Sequence, residues 1–286
     1  MTAINNPRTP SLGGEQGGPP EVDSRGSMDR GVLPFLRRNL SILGPVVVLV
    51  LMFTFFAFAS RSFLSLGNMQ ALGQLAGETL LVSAAATVVI LLGSIDLSVG
   101  AIAGLCGMTL AFTTQSGWPL GAALALSIGL GILAGLTNGL LFVIARIPSF
   151  LATLGMLFIL PGIAVFLYGS APISFDNAAL SNVLFSAVAG VPLPLIVGFV
   201  LVLGLAAILR WTVFGQHVYV VGGNERVARM SGVRVRQIKI AVFVISGLFC
   251  AIAGILLTVR ISSATSGMGS NLLLLAIAAT VIGGTR

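Results

Sequence analysis

Long apolar runs constrain this chain more than any other feature of its sequence. Of its 286 residues, 56% are hydrophobic and only 8% are charged, against about 25% charged residues in a typical soluble domain. The first run, Leu40–Ala59, contains no charged residue, and about twenty such residues are enough for a helix to cross a bilayer. The further runs are Leu80–Leu92, Ile102–Thr113, Leu120–Ala145, Phe150–Tyr168, Leu193–Leu209, Ile240–Val259 and Leu272–Ile282. The sequence therefore predicts an all-α, polytopic transmembrane helix bundle of about eight spans.

The basic residues predict how these spans are oriented. Arg30, Arg37 and Arg38 stand just before the first span, which predicts a cytoplasmic N-terminus because basic loops stay inside. Counting crossings from there places a basic segment, residues 210–239, in the cytoplasm and the connection 169–192 outside. The net charge of +7 would suggest nucleic acid in a soluble chain, but here it is typical of loop charge that sets topology. No nucleic-acid partner is predicted.

The first 32 residues differ in composition from the rest of the chain. Residues 1–32 are rich in Gly, Pro, Ser and charge without an apolar run, which predicts a disordered cytoplasmic tail. Residues 33–286 are then the transmembrane domain, with segment 210–239 as its main cytoplasmic loop.

The second span is unusual because its apolar run is short. Leu80–Leu92 gives roughly 20 Å of helix against a hydrocarbon core of about 30 Å. Extending the helix backwards takes in Gln70, Gln74 and Glu78, whose four-residue spacing puts them on one face. This polar stripe either faces the bundle interior or a water-filled path, or it lies at the external interface and caps the helix. The residues leave both readings open.

A polar interruption follows directly, with the sequence GSIDLSVG from Gly93 to Gly100. Glycine at both ends allows a break in the helix, so a discontinuous helix is expected near residues 93–100. Asp96 or Ser98 can cap the helix that begins afterwards, or they can contact a substrate. Transporters use such broken helices near their pathways. Asn138, alone and strongly polar within its span, is expected to bond a neighbouring helix.

The basic segment 210–239 contains a short predicted helix from Asn224 to Ser231. Asn224 is a good N-cap, Glu225 and Arg229 suit the two ends of the helix dipole, and Gly232 is a good C-cap. A capped basic helix of this kind can dock into a groove of another protein. It can equally be a solvated loop whose charge only sets topology.

Several chemistries are excluded or disfavoured by composition. Cys106 and Cys250 both lie in apolar runs and His217 is the sole histidine, so no disulfide framework, zinc cluster or other metal site is predicted. The sole lysine, Lys239, stands in no phosphate-binding loop of the GxxxxGK[ST] kind. No enzyme activity and no cofactor are predicted for this chain. If the protein works by ATP, another chain must bind it.

Four motifs in order resemble the ribose/xylose-type sugar ABC permeases of bacteria. The segment Leu91–Gly100 resembles the GG-IDLSVG signature of that family. Asn138–Gly139 with Ile147–Gly155 is similar to its NG and IPSFIATLG segments. Thr212–Glu225 is similar to T-FGR followed by YAIGGNE, and Ala228–Val233 to AARLSGI. The resemblance covers about residues 35–286, with the small departures that Ser94 replaces a glycine and Gln216 an arginine.

The resemblance implies a multi-pass permease subunit in the bacterial inner membrane. It would form a path for a monosaccharide delivered by a periplasmic sugar-binding protein, embedded in lipid and paired with a second permease subunit as a homodimer. A cytoplasmic ATP-binding subunit would supply the energy. The segment around the short helix would then be the coupling helix, with Gly223, Asn224, Glu225, Ala228, Arg229 and Gly232 contacting that subunit.

Other functions stay open at this point. The chain can be the permease of a related ABC importer for another small polar solute. A secondary transporter of a small solute would use Glu78 and Asp96 as a titratable relay, and a structural or receptor membrane protein would need no broken helix. Leu275–Arg286 resembles the start of the family segment IAAVVIGGTSLFGG, after which members carry further spans. The chain is therefore expected to be C-terminally incomplete.

Overall fold

A computed structural model of the protein describes residues 32–283. The expected disordered tail lies outside the described residues, except for Val32, where the first helix begins. The helices are α1 (Val32–Ala59), α2 (Leu66–Leu91), α3 (Val99–Gln115), α4 (Leu120–Val143), α5 (Ser149–Tyr168), α6 (Ala178–Leu184), α7 (Leu193–Trp211), α8 (Val213–Gly223), α9 (Glu225–Met230), α10 (Val235–Ile261) and α11 (Ser270–Ile282). The strands are β1 (Ile173–Ser174), β2 (Ala187–Val188), β3 (Val191–Pro192) and β4 (Ser263–Ala264). The chain divides into two units within α1, after Val48, and the helices from α2 onward belong to the second.

The predicted fold class is confirmed, because each apolar run lies within a helix or extends past the end of one by no more than two residues. In the described part of the chain, five helices are long and apolar enough to cross a membrane, namely α2, α4, α5, α7 and α10. Val46–Ala59, α3 and α11 are shorter apolar helices. The helix that contains the short second run is long enough to span because α2 extends back to Leu66, which gives 26 residues and about 39 Å of helix.

The centre of the bundle is α3, which is buried on every side. Fourteen of its 17 residues are buried, and it packs against α4, α5 and α10. A helix that is apolar all round is found either enclosed by other protein elements or in contact with lipid, and α3 is enclosed. Its neighbour α10 also packs on α2 and α4, so α3 and α10 together form the core that the other helices cover.

Glycines bring α4 and α10 into close contact. A Cβ atom at Gly247 of α10 would overlap the carbonyl oxygen of Gly131, and one at Gly135 of α4 would overlap the carbonyl oxygen of Phe243. Small residues allow membrane helices to approach backbone to backbone, where van der Waals packing holds them together. This approach brings Asn138 of α4 and Ser246 of α10 to the same buried region.

Two short antiparallel pairings lie in the connections. Strand β1 pairs with β4 through Ile173 with Ala264 and Ser174 with Ser263, which ties the connection after α5 to the connection after α10. Strands β2 and β3 form a hairpin. Ala189 and Gly190 at its turn both have positive φ, as tight hairpin turns require.

Candidate functional site

The helix break lies where the sequence predicts it. Helix α2 ends at Leu91, α3 begins at Val99, and the residues between them are irregular. Gly93 has a φ of +74°, a conformation that favours glycine. Gly100 is needed for a different reason, because a Cβ atom there would overlap the carbonyl oxygen of Gly269. The break is thus packed against the start of α11.

A buried hydrogen-bond network is centred on Asp96. Its Oδ1 accepts from the backbone N–H of Ser98 at 2.9 Å and from the Ser98 hydroxyl at 2.6 Å. Its Oδ2 accepts from the Ser246 hydroxyl of α10 at 2.9 Å, and Asn138 Nδ2 of α4 donates to Ser98 Oγ at 2.8 Å. All four residues are buried. Because charged groups survive burial only when they are hydrogen-bonded, this network fastens the break to α4 and α10 at once.

The structure also distinguishes the two capping residues that the sequence suggested. Ser98 stands at the N-cap position of α3 but makes no side-chain cap hydrogen bond. The Asp96 carboxylate accepts the Ser98 N–H instead. Asn138 bonds the break through Ser98, as expected of a residue that joins neighbouring segments. A direct contact of Asp96 or Ser98 with substrate stays a prediction.

Helix α5 holds the other side of the break, through residues to which the sequence analysis gave no role. The Thr153 hydroxyl accepts from the backbone N–H of Leu97 at 3.1 Å, and Ser149 Oγ lies 3.5 Å from the N–H of Ile95. Both hydroxyls lie on one face of the first turns of α5, four residues apart. A Ser/Thr pair at that spacing at the start of an apolar helix could have indicated such a contact.

The polar stripe on α2 ends in a buried ion pair. Arg260, near the end of α10, donates from Nε to Glu78 Oε1 at 2.7 Å and from Nη2 to Oε2 at 3.0 Å. The Glu78 side chain is 1% exposed and that of Arg260 29%, whereas Gln70 and Gln74 are half-buried. Glu78 therefore faces the bundle interior. This pairing makes Glu78 poorly suited to a proton relay, and a pathway role for the stripe stays a prediction.

The short helix α9 has the caps that the sequence predicts. Asn224 Oδ1 accepts from the N–H groups of Arg226 and Val227 at 3.0 and 3.1 Å. After the helix, Gly232 has a φ of +80°. On the outward side, Val227 is 51% and Met230 84% exposed, while Ala228 is fully buried. Helix α9 thus presents an apolar tip with arginines around it.

Glu225 ties α9 to the start of α10. Its carboxylate pairs with Arg229, one turn along α9, and accepts from Lys239 Nζ at 2.8 Å. The hydrogen bonds from Lys239 and then Arg229 lower the pKa of Glu225 below its ordinary value. A lowered pKa means that the contact contributes stability at neutral pH and loses it only as the pH falls through that lowered value. No pattern in the sequence predicts Lys239 as a partner of Glu225.

The connection between α10 and α11, residues 262–269, is the element that sequence reasoning missed. A Cβ atom at Gly104 of α3 would lie 2.9 Å from the carbonyl oxygen of Ser266, and Gly269 meets Gly100 beside the break. The connection begins at β4, which pairs with β1 just after the last turn of α5, yet the break contacts the first turns of α5. The five residues from Ala264 to Gly269 reach at most about 18 Å, so the connection turns back part of the way into the bundle, to the level of the break.

This connection is irregular, polar and uncharged. Hydroxyl side chains are concentrated in it and at the start of α11, namely Ser262, Ser263, Thr265, Ser266 and Ser270. Irregular backbone at membrane depth is stable only where protein buries it or where it lines a water-filled cavity. The cluster of serines and glycines between two apolar helices was the signal that could have identified it.

A bundle with a broken central helix and an irregular polar segment beside it has the features of a membrane permease. The chain belongs to the family described as the permease component of the branched-chain amino acid transport system, which matches residues 72–286.

Similar proteins with names are permeases of ABC transporters and of import systems. The probable ABC transporter permease protein YphD of Escherichia coli is 35% identical over 88% of this chain and 76% of its own length. The autoinducer 2 import system permease protein LsrC of Escherichia coli is 34% identical over 88% of this chain and 74% of its own. The ribose import permease protein RbsC of Haemophilus influenzae is 31% identical over 84% and 75%. The resemblance inferred from the motifs is confirmed. No solved structure matches the chain.

Proposed function

We propose that this chain is the permease subunit of a bacterial ABC importer for an uncharged, hydroxyl-bearing solute such as a monosaccharide. The observation that carries the proposal is the similarity to import permeases, one of them named for ribose and another for autoinducer 2. In this proposal the chain is a multi-pass protein of the inner membrane with a cytoplasmic N-terminus. It pairs with a second copy, receives its solute from a periplasmic binding protein and is driven by a separate ATP-binding subunit.

The choice of an uncharged solute rests on the segment beside the break. The family description names branched-chain amino acids, whose ammonium and carboxylate groups need charged or strongly polar partners when they are desolvated. Residues 261–283 contain no charged side chain. Their hydroxyls can donate and accept hydrogen bonds, which suits the hydroxyls of a sugar. Ser266 and Asn271 are the residues of this region that we expect to contact the solute.

The contacts support a route by which ATP-driven movement reaches the break. In this proposal α9 is the coupling helix, and its apolar tip docks on the ATP-binding subunit. Glu225 joins α9 to Lys239 near the start of α10, and α10 carries Ser246, which holds Asp96. A displacement of α9 would therefore shift α10 and alter the hydrogen bonds that fix the break. The element that changes state is the break itself, as a transmitted conformational change requires.

A reconstituted importer tests this proposal. Uptake is measured in proteoliposomes with the ATP-binding subunit and binding protein, using labelled ribose and labelled leucine as separate probes. Replacing Glu225 and Arg229 together with alanine should lower ATP-dependent uptake by about tenfold or more, since couplings between sites are of that order. Arg226→Ala is the matched control, because Arg226 is an exposed arginine on the same helix that takes no part in the Glu225 contacts.

The outcomes separate the coupling role from the choice of solute. Normal uptake by the double variant would show that α9 does not couple the two subunits. Uptake of leucine and not ribose by the unmodified chain would instead assign the importer to amino acids. Uptake that needs a proton gradient and no ATP would support a secondary transporter.

A further inference from the structure

A basic cleft opens where α4 ends, beside α9 and the start of α10. It has a volume of about 270 Å³, and its charged lining residues are Arg146, Glu225, Arg229, Arg236 and Lys239. A second cleft of about 380 Å³ shares Arg229 and Arg236 with it. The two clefts form one basic surface on the side of the bundle that is predicted to face the cytoplasm.

Positive charge in this cleft exceeds negative charge. Glu225 is its one carboxylate, and this group already pairs with Arg229 and Lys239. Arg146 and Arg236 are exposed and belong to none of the ion pairs among the described residues. The cleft therefore offers two arginines whose donors are directed to solvent, and guanidinium groups bind phosphate oxygens in a bidentate manner.

The cleft lies at the level where membrane-spanning helices emerge. Helix α4 ends at Val143 and α10 begins at Val235, and both helices are long and apolar enough to span. The wall of the cleft is apolar at Phe142, whose ring centroid lies 4.3 Å from Lys239 Nζ. Ile144, just beyond the end of α4, is 71% exposed. Basic groups above exposed apolar side chains match the headgroup region of a bilayer, where phosphates stand above acyl chains.

We propose that this cleft binds the phosphate of an anionic phospholipid headgroup. Basic pockets between spanning helices on the cytoplasmic side attract such lipids, because each nearby lysine or arginine adds to the attraction. Arg146 and Arg236 hold the phosphate from the α4 and α10 sides, while Glu225 and Arg229 form the α9 wall. A bound lipid therefore links α4, α9 and α10 and steadies the position of α9. The proposal goes beyond the transport function and depends on no particular solute.

The test compares lipid binding by three forms of the purified full chain. They are the unmodified protein, the variant Arg146→Gln with Arg236→Gln, and the control variant Arg210→Gln with Arg226→Gln. The control removes the same charge from exposed arginines outside the cleft. Because none of these four arginines takes part in an ion pair of the described residues, the variants should fold. Native mass spectrometry in mixed phosphatidylglycerol and phosphatidylcholine measures the retained lipid.

We expect the cleft variant to lose phosphatidylglycerol affinity by about tenfold or more relative to the control, as for the loss of two cationic contacts. Phosphatidylcholine retention should be the same in all three forms. Equal phosphatidylglycerol affinity of the cleft variant and the control would overturn the proposal. So would complete displacement of the lipid by inorganic phosphate, which would make the cleft a site for free phosphate. Unchanged lipid binding together with weakened binding of the ATP-binding subunit would assign the cleft to a protein carboxylate instead.

Discussion

Asp96 shows how a charged residue can be tolerated inside a membrane bundle. Its two oxygens accept three hydrogen bonds, two from Ser98 and one from Ser246, so that the carboxylate is satisfied without a cation in contact. Leaving such donors unpaired in the interior costs about 1–3 kcal/mol for each group. The carboxylate thus stabilises the break, and its removal should leave the Ser98 N–H and the hydroxyl hydrogens of Ser98 and Ser246 without their acceptor.

Substitutions at Asp96 should distinguish the contribution of its hydrogen-bond acceptor oxygens from the contribution of its charge. Asp96→Asn keeps an acceptor oxygen for Ser98 and should retain much of the uptake activity. Asp96→Leu leaves Ser98 and Ser246 without their acceptor and should lower the free energy of unfolding by about 2–4 kcal/mol. Expression level, thermal stability in detergent and uptake are the measurements. If asparagine is as damaging as leucine while protein levels stay normal, the charge itself is needed and the proton-relay alternative gains support.

The Glu78–Arg260 ion pair allows a second prediction for single residues. Glu78→Gln leaves the Arg260 guanidinium without its charged partner. Removing one member of a buried ion pair lowers the free energy of unfolding by about 3–5 kcal/mol. The 29% exposure of Arg260 places the expected loss at the lower end of that range. The double variant Glu78→Gln with Arg260→Gln should lose less free energy of unfolding than the two single variants lose when their losses are added.

Thermal unfolding in detergent measures this double-mutant cycle. Gln74→Ala serves as a control on the same face of α2, because Gln74 is half-buried and neutral. It should change the melting temperature little. Additive losses for Glu78 and Arg260 would show that the two side chains do not interact in the folded protein.

At the scale of elements, the sequence predicts what depends on neighbouring residues and misses what depends on distant ones. The apolar runs, the break near residues 93–100 and the caps of α9 follow from patterns within a few positions along the chain. The partners do not, because Lys239 is 14 residues from Glu225, Ser246 is 150 from Asp96 and Arg260 is 182 from Glu78. No periodicity encodes such pairings, which arise only when α10 packs against α2, α3 and α9.

The connection 262–269 was missed for a related reason. Its serines and glycines are typical of an exposed turn between helices, and composition alone cannot distinguish a turn at the surface from one inside the bundle. The distinction comes from α3, where glycines at 100 and 104 leave room for a backbone to approach. Helices α6 and α8 were also not predicted, since neither is part of an apolar run.

For the molecule as a whole, α10 connects three levels of the bundle. At one end, Lys239 bonds Glu225 of α9, and further along the helix Ser246 bonds Asp96 in the break. At the other end, Arg260 bonds Glu78 of α2, about 31 Å along the helix from Lys239. The chain then turns back through residues 262–269 to the level of the break. The contacts with α9, with the break and with α2 thus belong to one helix and the segment that follows it.

This arrangement predicts that water reaches the segment at the level of the break. Ser270 and Asn271 are exposed and Ser266 is half-buried, although Gly269 between them packs on Gly100. Exposed polar groups inside a membrane domain are stable only in contact with water or protein. Cysteines introduced singly at Ser266 and Ser270 should therefore react with a water-soluble methanethiosulfonate reagent in membrane vesicles.

Cys106→Ala with Cys250→Ala provides the background for this labelling, and both native cysteines are fully buried. Leu133→Cys is the control, because Leu133 is 54% exposed in the middle of the apolar helix α4. The thiolate is the reacting species and forms poorly in apolar surroundings, so Ser266→Cys and Ser270→Cys should react at least about tenfold faster than Leu133→Cys. This readout needs no knowledge of the solute or of the partner subunits. Reaction no faster than at Leu133 would show that lipid or protein covers the segment and that the solute path lies elsewhere in the bundle.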